Sequence, residues 1–163
     1  MVREFARAKI NLTLDILGTR LDGFHEVEMI MQALELSDVL DLEKISRGVE
    51  LNVKGAENIP TDEKNLAYRA ALEVQKTCGE NLGVAINLVK KIPAAAGLAG
   101  GSSDAAAVIR GMNRLYALNL SVEKMCEIGA RIGSDVPFCI VGGTCLARGR
   151  GEILTRLKPL KIF

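Results

Sequence analysis

The stretch Pro93-Ala-Ala-Ala-Gly97-Leu-Ala-Gly100-Gly101-Ser102-Ser103-Asp104 lies between an alternating run, Val84 to Val89, and a segment rich in small residues, Ala105 to Tyr116. Val84, Ile86 and Leu88 alternate with Ala85, Asn87 and Val89, which predicts a strand. The segment after the glycines predicts a helix that accommodates Gly111. In a glycine-rich turn between strand and helix, main-chain N–H groups can converge on an anion, backed by the positive end of the helix. Glycine allows the positive φ angles this needs and lets phosphate oxygens approach the main chain. Ser102 and Ser103 stand where hydroxyls can cap the helix, touch a phosphate or reach a bound metal ion. Spacing alone leaves a second reading open, a flexible turn before an N-capped helix. The patterns GxxxxGK[ST] and GxGxxG are both absent, which excludes the P-loop and the dinucleotide fingerprint.

Outward from the loop, the N-terminal third reads as strands. Ile10, Leu12, Leu14 and Ile16 share one face of a run from Phe5 to Leu17, with Lys9 and Asn11 on the other. Asp22-Gly23 marks a turn, and strands follow over Val27 to Leu36, Val39 to Ile45 and Gly48 to Val53, completing an antiparallel set. Asn65 is placed to cap a helix ending at Cys78-Gly79. Ser121 is placed to cap another, from Val122 to about Ile132, which Gly133-Ser134-Asp135-Val136-Pro137 breaks. Phe138 to Val141 and Thr144 to Arg148 read as two short strands joined by Gly142-Gly143. The chain closes on an apolar segment, Leu160 to Phe163, that reads as a further strand.

A chain of 163 residues suits one buried domain over residues 1–163. Its 21 Lys and Arg nearly cancel its 20 Asp and Glu, so no global field favours nucleic acid or an anionic membrane, and any anion site is local. Cys78, Cys126, Cys139 and Cys145 form no CxxC pair, and His25 is the only histidine, so no zinc spacing and no protein-built metal site is read. No secretory leader and no apolar run of about 20 residues is present, which predicts a soluble cytoplasmic protein with reduced thiols.

Pro93 to Ser103 resembles the phosphate loop of the galactokinase–homoserine kinase–mevalonate kinase–phosphomevalonate kinase superfamily. Two more segments sharpen the likeness: Ala8-Lys9-Ile10-Asn11-Leu12 followed by Arg20-Leu21-Asp22-Gly23-Phe24-His25-Glu26, and Gly133 to Phe138. Together they resemble the family of 4-diphosphocytidyl-2-C-methyl-D-erythritol kinases, in order and separation, along the whole chain. The resemblance implies an α+β domain with a mostly antiparallel sheet packed against helices, related to a ribosomal-protein-like two-layer fold. It also implies a left-handed crossover, an exception to the usual hand. The implied reaction is ATP-dependent phosphorylation, with Mg2+, of the 2-hydroxyl of a cytidine diphosphate substrate in the non-mevalonate route to isoprenoid precursors.

The family pattern carries over residue by residue. Asp135 matches the catalytic base and Lys9 its partner; without the resemblance they read as a turn Asp and a solvated strand Lys. Asn11, Phe24 and His25 match acceptor-binding positions. Phe24 stands where many members of the resembled family carry Tyr, so its ring can still stack on the base but has no hydroxyl to donate. Asn65, Leu66 and Lys90 match positions near the nucleotide, with helix cap, core Leu and surface Lys as their plain alternatives. The loop assigned to ATP comprises Pro93, Ala94, Ala95, Ala96, Gly97, Leu98, Ala99, Gly100, Gly101, Ser102 and Ser103. The three successive alanines stand where members of the resembled family often carry more glycine and predict a less pliable first part, because Cβ resists positive φ.

Members of the resembled family are nearly twice as long and carry a second, C-terminal domain. The expectation is weak or absent turnover by this chain alone, with self-association through the apolar edge at its end. Three other readings stand beside this one: another small-molecule kinase of the superfamily, a nucleotide-binding remnant without catalysis, and an RNA-binding module of similar fold. The Asp-Gly-Phe-His turn argues against the first, and the near-neutral charge against the last.

Overall fold

A computed structural model describes residues 1–19, 23, 25–79 and 81–158. Its elements run β1 (Val2–Thr19), β2 (His25–Lys44), β3 (Val49–Lys54), α1 (Leu66–Cys78), β4 (Val84–Val89), α2 (Gly100–Tyr116), α3 (Val122–Ala130), α4 (Val136–Val141), β5 (Thr144–Gly149) and β6 (Ile153–Arg156). The strands make one sheet in the order β3-β4-β2-β5-β6, with β1 also paired to β2.

This is the α+β architecture with a mostly antiparallel sheet that the sequence predicted, with corrections to several elements. The runs before and after Ser37-Asp38 are one continuous strand, β2, which pairs with β1 along most of its length, with β4 through Val39–Lys44 and with β5 through Val27–Gln32. β3 pairs with β4 in parallel and so does not complete an antiparallel set. Helix α1 lies between these two parallel strands in sequence, as a crossover between parallel strands requires. Residues Phe138 to Val141, expected as a strand, form α4, and Gly142-Gly143 is no hairpin turn. Pro137 near the helix start supplies a helical φ, and Gly142, at φ 66°, ends the helix. An apolar run this short does not separate helix from strand by period. Helix α3 ends at Ala130, two residues short of Ile132, and β6 was not foreseen. The turn residues Arg20 to Asp22 and the terminal stretch 159–163 lie outside the described residues.

Along β4, buried and more exposed residues alternate, so helices cover one face of the sheet. Leu40, Leu42, Val84, Ile86 and Leu88 meet Ala67, Ala70, Val74, Ala105, Val108 and Ile109 there in the main core. Helix α2 lies close to the sheet at Gly111, where a Cβ would stand 2.8 Å from Leu42 Cδ1. Ile10 is half-buried, but Leu12, Leu14 and Ile16 of the expected apolar face are exposed, Ile16 at 63%. The pairing of β1 with β2 shifts register between Arg7 and Lys9, between Asn11 and Thr13, and between Ile16 and Gly18. Each shift changes which face a side chain takes. The first of them places the catalytic candidate.

Candidate active site

Strand alternation buries Glu4, Ala6 and Ala8 and leaves Arg3, Phe5 and Arg7 outside. At the irregularity between Arg7 and Lys9 two neighbours, Ala8 and Lys9, are both buried. Lys9 is 6% exposed, not a solvated strand residue. Its Nζ donates to Asn11 Oδ1 at 3.1 Å and lies 3.3 Å from Asp135 Oδ2. Asp135 is the residue before α4, and its carboxylate makes no capping bond to that short helix. It is therefore free to face the ammonium, while staying about one-third open at 32% side-chain exposure. A carboxylate held by an ammonium and still reachable from outside is suited to accept a proton from a bound hydroxyl.

Asp135 also lines a cleft of about 450 Å³ whose walls include Pro93, Ala94, Ala95, Ala96, Gly97, Leu98, Ala99, Gly100, Gly101 and Ser102. The loop is tied to β1 where Lys9 N donates to Leu98 O at 3.1 Å. Helix α2 begins at Gly100, so Gly100 and Gly101 form its first turn and not a loop before it. The first amides of a helix lack partners within it, and no side chain caps this one at Ala99. Gly100, Gly101 and Ser102 thus carry first-turn amides at the cleft wall. Gly100 is required for space: a Cβ there would lie 3.1 Å from Ile92 Cγ2 and 3.2 Å from Lys90 Nζ.

Two alanines take the left-handed conformation that glycine favours, Ala95 at φ 56° and Ala99 at φ 57°. That conformation costs an alanine on the order of 1–2 kcal/mol.

Ser102 borders the cleft, but Ser103 lies beneath it. Ser103 Oγ donates to Arg7 O at 2.6 Å and touches Cys139 Sγ at 3.3 Å, and its amide donates to Ala99 O. Burial pushes the Cys139 thiol up to about 11, which keeps it protonated and unreactive. All four cysteines are free thiols.

At the other end of the cleft, Asn65 and Leu66 stand beside Ile59, Pro60 and Lys64. Asn65 caps α1, accepting from Ala67 N at 2.9 Å while its amide donates to Pro60 O at 2.8 Å. Lys90 is not a surface residue. It is 9% exposed, with Nζ 2.5 Å from Asp38 Oδ2 and 2.7 Å from Asp104 Oδ2. Burial works to lower the Lys90 pKa, yet the Asp104 charge and the hydrogen bonds to both carboxylates raise it on balance. Neither Asp38 nor Asp104 was singled out in the sequence. Asp104 directly follows the serines of the loop motif, and that adjacency was the one available pointer.

His25 is exposed at the start of β2, paired with Thr19, whereas Lys9 pairs with Ala33. The eight residue steps of β2 from His25 to Ala33 place His25 up to about 26 Å along the strand from the Lys9–Asp135 pair. Asn11 belongs to that pair's immediate surroundings, but His25 does not. Phe24 lies outside the described residues. Among the described residues no group of three His, Cys, Asp or Glu side chains is arranged to hold a metal ion. No helix there is long and apolar enough to cross a membrane.

Residues 65–143 match the family model described as GHMP kinases N terminal domain. The 4-diphosphocytidyl-2-C-methyl-D-erythritol kinase of Caldicellulosiruptor saccharolyticus is 54% identical over 153 residues, covering 94% of this chain and 53% of that protein. The kinase of the same name from Carboxydothermus hydrogenoformans is 52% identical over 157 residues, covering 96% and 54%. A crystal structure of 4-(cytidine 5'-diphospho)-2C-methyl-D-erythritol kinase superposes with a TM-score of 0.82 at 38% identity, over 96% of this chain and 55% of that one. The Methanococcus jannaschii mevalonate kinase, at 15% identity and TM-score 0.72, shares the fold. The chain spans about half the length of the curated relatives it matches.

Proposed function

We propose, on the premise that this chain is a homologue of the N-terminal part of the 4-diphosphocytidyl-2-C-methyl-D-erythritol kinases, that it supplies the nucleotide cleft and the proton-accepting carboxylate of such an enzyme. The reaction is transfer of the γ-phosphoryl group of ATP to the 2-hydroxyl of the cytidine diphosphate substrate, a step of isoprenoid precursor synthesis in the cytoplasm. One observation carries this reading: Asp135 lies 3.3 Å from Lys9 and on the wall of the cleft formed by the glycine loop.

Phosphoryl transfer asks a protein mainly for positioning and for stabilisation of charge. The first-turn amides of α2 and the 17-residue helix behind them offer partial positive charge to the phosphates. Asp135 takes the proton of the acceptor hydroxyl, and the Lys9 ammonium, fixed by Asn11, holds the carboxylate in place and faces the charge that develops. Mg2+ needs only one or two protein ligands when a nucleotide supplies phosphate oxygens, so an ion arriving with ATP would need no three-residue cluster of the protein. Among the described residues, Ser102, Asp104 and Asp135 line the cleft with oxygens that could meet it. When bound, the ion neutralises phosphate charge. The exposed His25, and Phe24 before it, suit the cytosine end of an extended acceptor.

This chain forms the first of two domains in the proposed enzyme, with slow turnover by itself and some self-association through exposed apolar residues. No nucleic-acid partner is proposed. Calorimetric titration with a non-hydrolysable ATP analogue, and separately with cytidine diphosphate, tests the reading. Binding of the analogue that is lost on crowding the first turn of α2 supports it. A chain that binds neither ligand, or that binds RNA with strong salt dependence, overturns it.

A further inference from the structure

We propose that Asp38, Lys90 and Asp104 form a buried positioning cluster that locks the two ends of the glycine loop together and so sets its affinity for nucleotide phosphates. The affinity half rests on the nucleotide reading above; the locking half does not. The loop leaves β4 through Lys90, Lys91 and Ile92 and returns at Gly100, the start of α2. Asp38, from the middle of β2, fixes the outgoing end: its Oδ1 accepts from Lys91 N at 2.5 Å and Ile92 N at 2.8 Å. Its Oδ2 accepts from the Lys90 ammonium. That same ammonium donates to Asp104 Oδ2 at 2.7 Å, one turn into α2, and so fixes the returning end. Asp38 is fully buried and Asp104 is 3% exposed. Two of the three ammonium protons of Lys90 are thus committed to carboxylates of the two loop ends, and its role is to place the loop.

Asp104 Oδ1 is buried with no hydrogen-bond partner among the described residues, so the Oδ2 bond to Lys90 is the side-chain tie at the returning end. Asp104 and Lys90 line the cleft, while Asp38 is fully buried behind them. Removing the ammonium releases both ends of the loop and leaves two buried carboxylates without their shared cation.

Lys90→Met keeps the length of the side chain and removes its charge. Without nucleotide, Lys90→Met should raise amide hydrogen exchange of Lys91, Ile92 and Ser103, whose amides are hydrogen-bonded at the two loop ends, by roughly tenfold relative to the middle of α2. It should also weaken binding of a non-hydrolysable ATP analogue by roughly tenfold. If Lys90→Met does not fold, Asp38→Asn, which turns an amide donor toward the ammonium, serves both measurements. Unchanged exchange in a folded variant overturns the locking, and unchanged analogue affinity beside raised exchange overturns the affinity half. Failure of the unsubstituted chain to bind the analogue at all overturns the nucleotide reading and the affinity half, and loop-end exchange still decides the rest.

Discussion

Lys9 Nζ and Asp135 Oδ2 stand 3.3 Å apart although they come from opposite ends of the chain, one from an irregular strand and the other from the cap position of a short helix. Their backbones are fixed independently of each other's side chains, Lys9 by β1 and by its bond to Leu98 O, and Asp135 by the turn into α4. Asp135→Asn should therefore lower single-turnover phosphoryl transfer from labelled ATP by about 100-fold or more. Affinity for a non-hydrolysable analogue should stay within about threefold. Lys9→Met should give the same split. A variant that keeps its rate removes the carboxylate from the mechanism.

Gly100 is the point where the cleft tolerates least. Ile92 and Lys90 stand 3.1 and 3.2 Å from the place of a Cβ, and both are buried and held. Gly100→Ala should weaken analogue binding by about tenfold while changing unfolding free energy by about 1 kcal/mol or less. Calorimetry and urea unfolding on the same samples separate the two effects. Equal affinity would place the phosphates elsewhere.

Stability should carry the signature of Asp104. Its carboxyl titrates near 7 in the folded chain, above the ordinary 3.8, because burial disfavours the charged form. Between about pH 4 and about pH 7 the folded state holds a proton that the unfolded state has released, so this group's stabilisation is full at low pH and is lost as pH rises through 7. Comparing urea unfolding at about pH 5 and about pH 8, the unsubstituted chain should lose on the order of 2–4 kcal/mol more than Asp104→Asn. A parallel pH dependence in both would show that the carboxyl is not shifted.

The contact between α2 and the sheet at Gly111 gives a prediction separate from the site. A Cβ there would press on Leu42, which is fully buried and has nowhere to move. Gly111→Val should destabilise the fold by about 1–3 kcal/mol. Thermal unfolding checks this, and an unchanged midpoint would mean that α2 can lift from the sheet.

Much was legible in the chain because the physical cause was local. Alternating apolar residues made β4, Asn65 and Ser121 capped α1 and α3 as their side-chain chemistry requires, and the glycines ahead of a small-residue helix marked the cleft. The motif resemblance named the two residues now found 3.3 Å apart.

What stayed hidden depends on contacts between segments far apart in sequence. Strand alternation placed Lys9 on one face with Asn11, but only pairing with β2 reveals the register shift that buries it beside Ala8. Asp38 and Lys90 read as ordinary charges until β2, the end of β4 and α2 converge and exclude water around them. The run Phe138 to Val141 became a helix because its flanking Pro137 and Gly142 suit helix ends, which four apolar residues cannot announce by period. Local propensity and chemistry wrote the elements and the anion loop. Register, burial and the company of buried charges came from tertiary packing, since the cost of an ion out of water depends on what surrounds it and not on its neighbours in the chain.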